Sequence, residues 1–411
     1  MQITLVTFSA FKNKQTTILE PHKELLTELN KHFTVRMLMS DEIDQITPDD
    51  FIVSFVTMGG IESLLIKQIE ALNRPLILLA DNNENSLPTA IEASAWIRQH
   101  GFKCEIVYGD SKDVVAELQV LYDCYMAQRA LIGTKIGLLG VTSSLLISSG
   151  IDYLLTKRRW GVEFADISTE EVLARYKKIR TSDVKEDATA LMERTNLCRE
   201  CSPNDIVEAI RLYYAIVQLC NDYHLNTISI NCYKILETIP VTACLALALM
   251  SDKGYVVGCE GDLQSIFTML AVKAVTGKSS FMANTNVIDK KNNEIILSHC
   301  TVGTNMTEKF DLRSHYNTGK SVAIQGYLPA MDYTVVRCGG ECLDQYFVSS
   351  AYLLENTNYA SFYRTQIRLK LKASAHYFLN NSLGNHHIVV PGDCAKKLDK
   401  FFQGNSCKKV E

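Results

Sequence analysis

The stretch Tyr255–Gly277, YVVGCEGDLQSIFTMLAVKAVTG, decides the reading of the fold. YVVGCEG is a short apolar run bounded by glycines, the pattern of a buried strand. DLQSIFTMLAVKAVTG reads as the helix that follows. Asp262 stands where an N-cap belongs, accepting bonds from the first free backbone N–H groups. TGK at 276–278 ends the helix with a C-cap glycine. Strand followed by helix is half of a βαβ unit, so the strand belongs to a parallel sheet. Glu260 then lies at the carboxyl end of that strand, the edge where open α/β sheets bind ligands. Flanked by Gly258, Cys259 and Gly261, it has little side-chain cover and is free to point into a crevice.

The same alternation extends in both directions. ITLVTFS, VRMLM, FIVSFVT, PLILLAD and CEIVYGD read as strands, with helices near 21–32, 60–72 and 87–100. A long amphipathic run over 112–133 carries the chain onward. TKIGLLGV starts a second series: VEFADIS, a charged helix after Thr169, a longer one around 203–222, TISINCY, a helix after Val241, and the quoted stretch. After about residue 290 the character changes. KNNEIILSHCTV, SVAIQGYLP, DYTVVRCGG, QYFVSSAYLL, YRTQIRLKL and NHHIVVPGD are strand-like runs, with no helical pattern until 395–403. The fold class predicted is α/β: two Rossmann-like parallel-sheet domains, 1–130 and 131–290, then a β-rich, antiparallel, barrel-like domain over 291–411.

The composition restricts function. The chain has 411 residues, 47% hydrophobic and 21% charged, the balance of a globular protein of two or three domains. The net charge is −4 with no stripe of Lys and Arg, which argues against nucleic acid or an anionic membrane as partner. No apolar run is long enough to span a bilayer. MQITLVTFSA reads as a strand rather than a signal peptide, so a cytoplasmic protein is expected. Thirteen scattered cysteines suit free thiols in a reducing compartment. Cys198 and Cys201 form a CxxC with no second pair at finger spacing, read as two thiols in a helical region rather than a zinc site. GKSS at 277–280 is not a P-loop, because Val272 stands where its first glycine belongs and the run follows a helix.

His299 in ILSHCTV and the pair His386–His387 in LGNHHIVV add imidazoles to Glu260. Glu with His suits a divalent transition metal, the carboxylate tilting the choice toward Mn²⁺. Adjacent histidines on a strand face opposite ways, so at most one of the pair faces a given site.

In this order, CEGD, SFMAN, SHCTV, VAIQG, YRTQI and LGNHH resemble the L-fucose isomerase and L-arabinose isomerase superfamily, over roughly 130–411. The resemblance is to its short fucose-isomerase-like members. It implies two α/β domains and a β-rich third, with the active site between the last two. It also implies a Mn²⁺-type ion held by carboxylates and histidine, aldose–ketose interconversion through an enediol, and a homotrimer or hexamer in which a neighbour's first domain helps close the site. Carried over, Glu260 matches the first metal carboxylate and His387 the C-terminal metal histidine. His299 matches the histidine near the metal. The second carboxylate is missing: in SFMANTN its place falls at Ala283 and Asn284. Asn binds a metal only through its amide oxygen and is no base near neutrality. Asp289 lies five residues further on, and Asp262 is a substitute acid only at the cost of its capping role.

Arg313 and His315 are candidates for a sugar hydroxyl or an acidic substituent such as phosphate or sulfonate. Gln325, Arg364 and Gln366, with Asn385 and His386, are further substrate contacts. The expectation is a metal-dependent aldose–ketose isomerase with a small sugar substrate. The alternative is a non-catalytic or altered sugar-binding relative that keeps the fold. A third reading, a periplasmic-type binding protein of two α/β lobes, fits the β-rich third region and the N-terminus less well.

Overall fold

In the computed structural model, residues 1–8, 19–72 and 74–411 are described. The chain divides into two compact units, Met1–Tyr125 and Met126–Glu411. In the first unit, β1 (Gln2–Phe8), β2 (Thr34–Met39), β3 (Ile52–Val56), β4 (Leu76–Leu79) and β5 (Cys104–Val107) form a parallel sheet of order β2-β1-β3-β4-β5. Every residue of β3 is buried, because helices cover both faces of such a sheet. Ser9, which ends the strand read in ITLVTFS, lies outside the described residues. The 21-residue helix Ser111–Leu131 carries the chain into the second unit.

The second unit contains β6 (Lys135–Leu139), β7 (Glu163–Ile167), the two-residue β8 (Leu197–Cys198), β9 (Thr227–Ile230) and β10 (Val256–Cys259). Of these, β10-β9-β6-β7 form a second parallel sheet. The rest of the chain adds β11 (Phe281–Asp289), β12 (Glu294–His299), β13 (Lys309–Arg313), β14 (Ala323–Tyr327), β15 (Asp332–Gly339), β16 (Gln345–Asn356), β17 (Thr365–Leu371), β18 (His386–Pro391) and β19 (Lys408–Lys409). Six of them close an antiparallel barrel in the circuit β15-β18-β11-β12-β17-β16, with β16 returning to β15. Closure leaves no unpaired edge, as a sheet of this many strands requires. A small separate sheet, β14-β13-β8, flanks the barrel.

The helix Leu263–Thr276 lies between the second sheet and the barrel, touching β10 on one side and β15 and β18 on the other. Nearly all its residues are buried, which explains why LQSIFTMLAV is apolar on every face rather than striped. Asp262 caps it as read, accepting from Ser265 N at 2.8 Å. Gly277, at φ 70°, ends it.

Three local features differ from the sequence reading. The barrel's first strand begins at Phe281, ahead of the boundary at 291, because SFMANTN is too polar to advertise a strand. A short helix, Tyr377–Asn380, precedes β18. The CxxC is not helical. Cys198 ends β8, and Cys201 precedes Ser202, the N-cap of the helix Pro203–Asp222; the two sulfurs lie 3.2 Å apart.

Candidate metal centre

Glu260 follows β10 in the left-handed region, at φ 62°, where a non-glycine residue is uncommon. Gly261 follows at φ 66°, and a Cβ there would come within 2.9 Å of Thr142 Cα and Val141 O. This forced turn throws the Glu260 side chain off the end of the sheet. The loop after β6 fastens it: Ser143 N donates to Glu260 O at 3.0 Å, and Thr142 Oγ1 donates to Gly261 O at 3.0 Å.

Two barrel strands bring imidazoles to this carboxylate. His299, the last residue of β12, has Nε2 3.8 Å from one carboxylate oxygen of Glu260, and His386, the first of β18, has Nε2 3.9 Å from the other. The donor atoms of all three residues lie within 4.8 Å of one another, and all three residues are buried. Both separations exceed a hydrogen bond, and neither His299 Nε2 nor His386 Nε2 has any partner. Two buried imidazole nitrogens, unpaired and facing one carboxylate, are costly in a finished core and fit a cation between them.

The surroundings prepare the ligands. Asp262 Oδ2 accepts a hydrogen bond from His386 Nδ1 at 2.9 Å, which leaves the Nε2 lone pair toward the cluster. The same oxygen accepts from Ser265 Oγ at 2.8 Å, so Asp262 is both N-cap and histidine orienter. Burial pushes its carboxyl up, but Arg337 and the His386 bond outweigh this and hold it far below the usual range. Burial likewise pushes Glu260 up, and the two imidazoles outweigh it, so Glu260 stays ionised at neutral pH. Tyr363 stacks on His299, ring centroids 5.3 Å apart and planes 10° apart, and burial pushes its hydroxyl up to about 12. Asn317 Nδ2 donates to the hydroxyls of Tyr233 and Tyr363, at 3.1 and 3.3 Å.

The structure brings together only some of the residues singled out from the sequence. His387 is not a ligand. It points to the opposite face of β18, with Nε2 3.1 Å from Tyr377 Oη and its ring 4.6 Å from that of Phe378. The strand alternation made this choice binary, and His386 takes the place expected of its neighbour. Asn284 lies directly opposite His386 and Ser298 in the ladder. Its Oδ1 accepts from Asn385 Nδ2, and its own Nδ2 is buried without a partner. Asn385 is thus a brace for Asn284. Asp289 caps the β11–β12 turn by accepting from Lys291 N and Asn292 N, and supplies no second acid. Gln366 has both amide atoms committed to residues 357, 359 and 363, so it shapes that loop instead of meeting substrate. Gln325 holds Arg313 at 2.6 Å, while Arg313 and Arg364 both engage Glu200. The sequence reading missed Tyr363 and Arg337, although the first lies inside the YRTQI motif.

His315 is buried, with Nδ1 3.1 Å from Thr318 Oγ1. Burial, with the nearby Arg364 guanidinium and His299 ring against a smaller opposing effect of Glu260, lowers its pKa from 6.5 to about 4. The unfolded chain therefore takes up this proton first as pH falls. The contribution of neutral His315 to stability is complete above pH 6.5 and is lost toward pH 4, on the order of 3 kcal/mol over the window. Urea midpoints of the wild type and His315→Gln should converge on acidification, and a pH-independent gap would contradict this assignment.

An α/β sheet edge, a closed antiparallel barrel and a buried carboxylate–histidine–histidine cluster define a candidate metalloprotein. No family model and no curated protein matches the chain.

Proposed function

We propose that the protein is a divalent-metal-dependent isomerase that interconverts an aldose and a ketose through an enediol, as the resemblance to fucose and arabinose isomerases implies. The observation that carries this reading is the Glu260–His299–His386 cluster with two unpaired imidazole nitrogens. One carboxylate and two imidazoles suit a first-row divalent ion, Mn²⁺ among them. Such an ion supplies Lewis-acid polarisation of adjacent sugar oxygens. The chain's own groups do the rest. Glu260, held ionised, accepts the proton from one sugar carbon and returns it to the adjacent carbon of the enediol. Tyr363, held protonated, donates a hydrogen bond to a sugar oxygen.

A second reading, a sugar-binding relative with altered or no turnover, is favoured by Asn284. Among the described residues, no other carboxylate joins the cluster, and Asp262 is fully engaged. In either case we place the protein in the cytoplasm as a homotrimer or hexamer. Val141, Leu145, Ile147 and Leu154, all exposed in and beside the loop that fastens Glu260, support self-association. Among the described residues, no helix is long and apolar enough to cross a membrane.

The test is elemental analysis of the wild type and Glu260→Gln, followed by a screen of aldoses for carbon-bound deuterium in D₂O. Stoichiometric metal lost in the variant, with exchange into one aldose, supports the isomerase. Metal without exchange moves the assignment to the binding reading, and no metal in either protein rejects the isomerase and leaves the binding reading in front. Asn284→Asp places a carboxylate opposite His386 and should tighten Mn²⁺ binding roughly tenfold, the worth of one favourable charge contact of about 1.4 kcal/mol. Calorimetric titration reads this directly, and unchanged affinity would show that position 284 lies outside the ion's reach.

A further inference from the structure

We propose that Arg313 and Arg364, on the small sheet and at the mouth of the barrel, form a binding site for the oxyanion of a small organic molecule, and that Glu200 is its tethered internal occupant. The argument does not depend on what the metal centre catalyses.

The receptor is built without Glu200. Gln325 Oε1 accepts from Arg313 Nη1 at 2.6 Å, and Asn358 in turn accepts from Gln325 Nε2 at 3.2 Å. Arg364 Nε donates to Ser314 O at 2.8 Å. Both arginine side chains are mostly covered, with 12% and 16% exposed. Their remaining donors converge on one point. Arg313 presents Nε and Nη2 as a fork, at 3.0 and 2.5 Å from the two Glu200 oxygens. Arg364 Nη2 stands at 3.3 Å and Ser314 Oγ at 3.1 Å. A bidentate guanidinium fork, a hydroxyl donor and a second guanidinium, itself bonded to that hydroxyl at 3.0 Å, surround one planar anion, the geometry by which arginine recognises carboxylate or phosphate.

The occupant is different in kind. Glu200 sits on the short connection between β8 and the helix Pro203–Asp222, at φ 65°, a conformation that a non-glycine residue adopts only at some cost. Its side chain is 41% exposed. A rigid receptor thus holds a carboxylate carried on a strained, solvent-facing loop. Arg313 and Arg364 keep that carboxyl down at about 2, so it is an anion at any physiological pH. Beside it lies a cavity of about 340 Å³, lined by the same arginines together with Arg199, Asn358, Tyr359 and Phe362. This space accepts the body of a molecule whose anionic group displaces Glu200.

The anion has two possible sources. The Arg364 guanidinium lies 5.9 Å from the Tyr316 ring, Tyr316 packs on Tyr363, and Tyr363 stacks on His299. The oxyanion is therefore either a substituent of the molecule at the metal centre or part of a separate effector.

The experiment measures binding of inorganic phosphate by calorimetry to the full-length wild type, Glu200→Gln and Glu200→Ala, with circular dichroism to confirm that each is folded. Both variants should bind at least tenfold more tightly than the wild type, and adding Arg313→Met with Arg364→Met should abolish the gain. An aldose phosphate that outcompetes inorganic phosphate only in Mn²⁺-loaded protein identifies a substrate substituent. Equal competition with and without Mn²⁺ identifies an effector. If neither Glu200 variant gains phosphate affinity, whether or not its melting temperature falls, the cluster is a structural ion pair and the proposal is overturned.

Discussion

Replacing Arg337 with methionine is expected to destabilise the second unit by about 3–5 kcal/mol, the cost of orphaning a buried charge. Arg337 is completely buried, in the middle of barrel strand β15. Its guanidinium donates to Leu383 O at 2.9 Å, His386 O at 2.6 Å, Ser265 Oγ at 2.9 Å and Gln264 Oε1 at 3.0 Å. It also stands 3.6 Å from the Asp262 carboxylate, which has no solvent exposure. Methionine fills the volume but removes every donor and the guanidinium charge beside Asp262. Two carbonyls, an amide and a buried carboxylate would then lose partners together. Gly384 packs against the same guanidinium so closely that a Cβ would fall 2.5 Å from it, so the loop before β18 is moulded on this side chain. The lesion should therefore reach the Glu260–His299–His386 cluster through His386. Urea denaturation measures the loss, and a change below about 1 kcal/mol would show that the network relaxes without its arginine. Arg337→Lys keeps the charge without the fork and should fall between the two.

The parts of the fold most legible in the sequence are those set by local chemistry. Asp262 and Gly277 bracket their helix because capping and left-handed termination depend on single residues. The helix expected around 203–222 runs Pro203–Asp222 and begins at a capping box of Ser202 and Asp205. The parallel strands announced themselves as short apolar runs. What escaped was whatever depends on pairing between distant segments. SFMANTN is a central barrel strand because β12 and β18 both bind it, not because its residues favour extension. Glu260 and His299, singled out from residue type and order, lie within one cluster of donor atoms. The choice between His386 and His387 depends on strand register, which no local pattern records. Glu200 was invisible for a similar reason: its partners lie more than a hundred residues away on β13 and just before β17.

That register makes the pair at 386–387 the sharpest test of the site. His386→Ala should weaken Mn²⁺ binding more than about 100-fold, beyond the 10–100-fold typical of losing a second-layer contact to a ligand. The substitution removes one of two unpaired imidazole nitrogens and leaves Asp262 without the proton it orients. His387→Leu should leave Mn²⁺ affinity within about threefold of the wild type, below about 0.7 kcal/mol. Its imidazole faces Tyr377, Phe378 and Phe347, on the far side of β18 from Glu260. Its cost falls on stability, about 1–3 kcal/mol, because Tyr377 Oη loses its imidazole partner in the core. Mn²⁺ titration followed by electron paramagnetic resonance, alongside urea denaturation, separates the two effects. One variant should lose metal and the other stability. If His387→Leu loses the ion and His386→Ala keeps it, the ligand set follows the linear motif rather than the folded register. The donor cluster at Glu260 would then be a buried polar network without a metal.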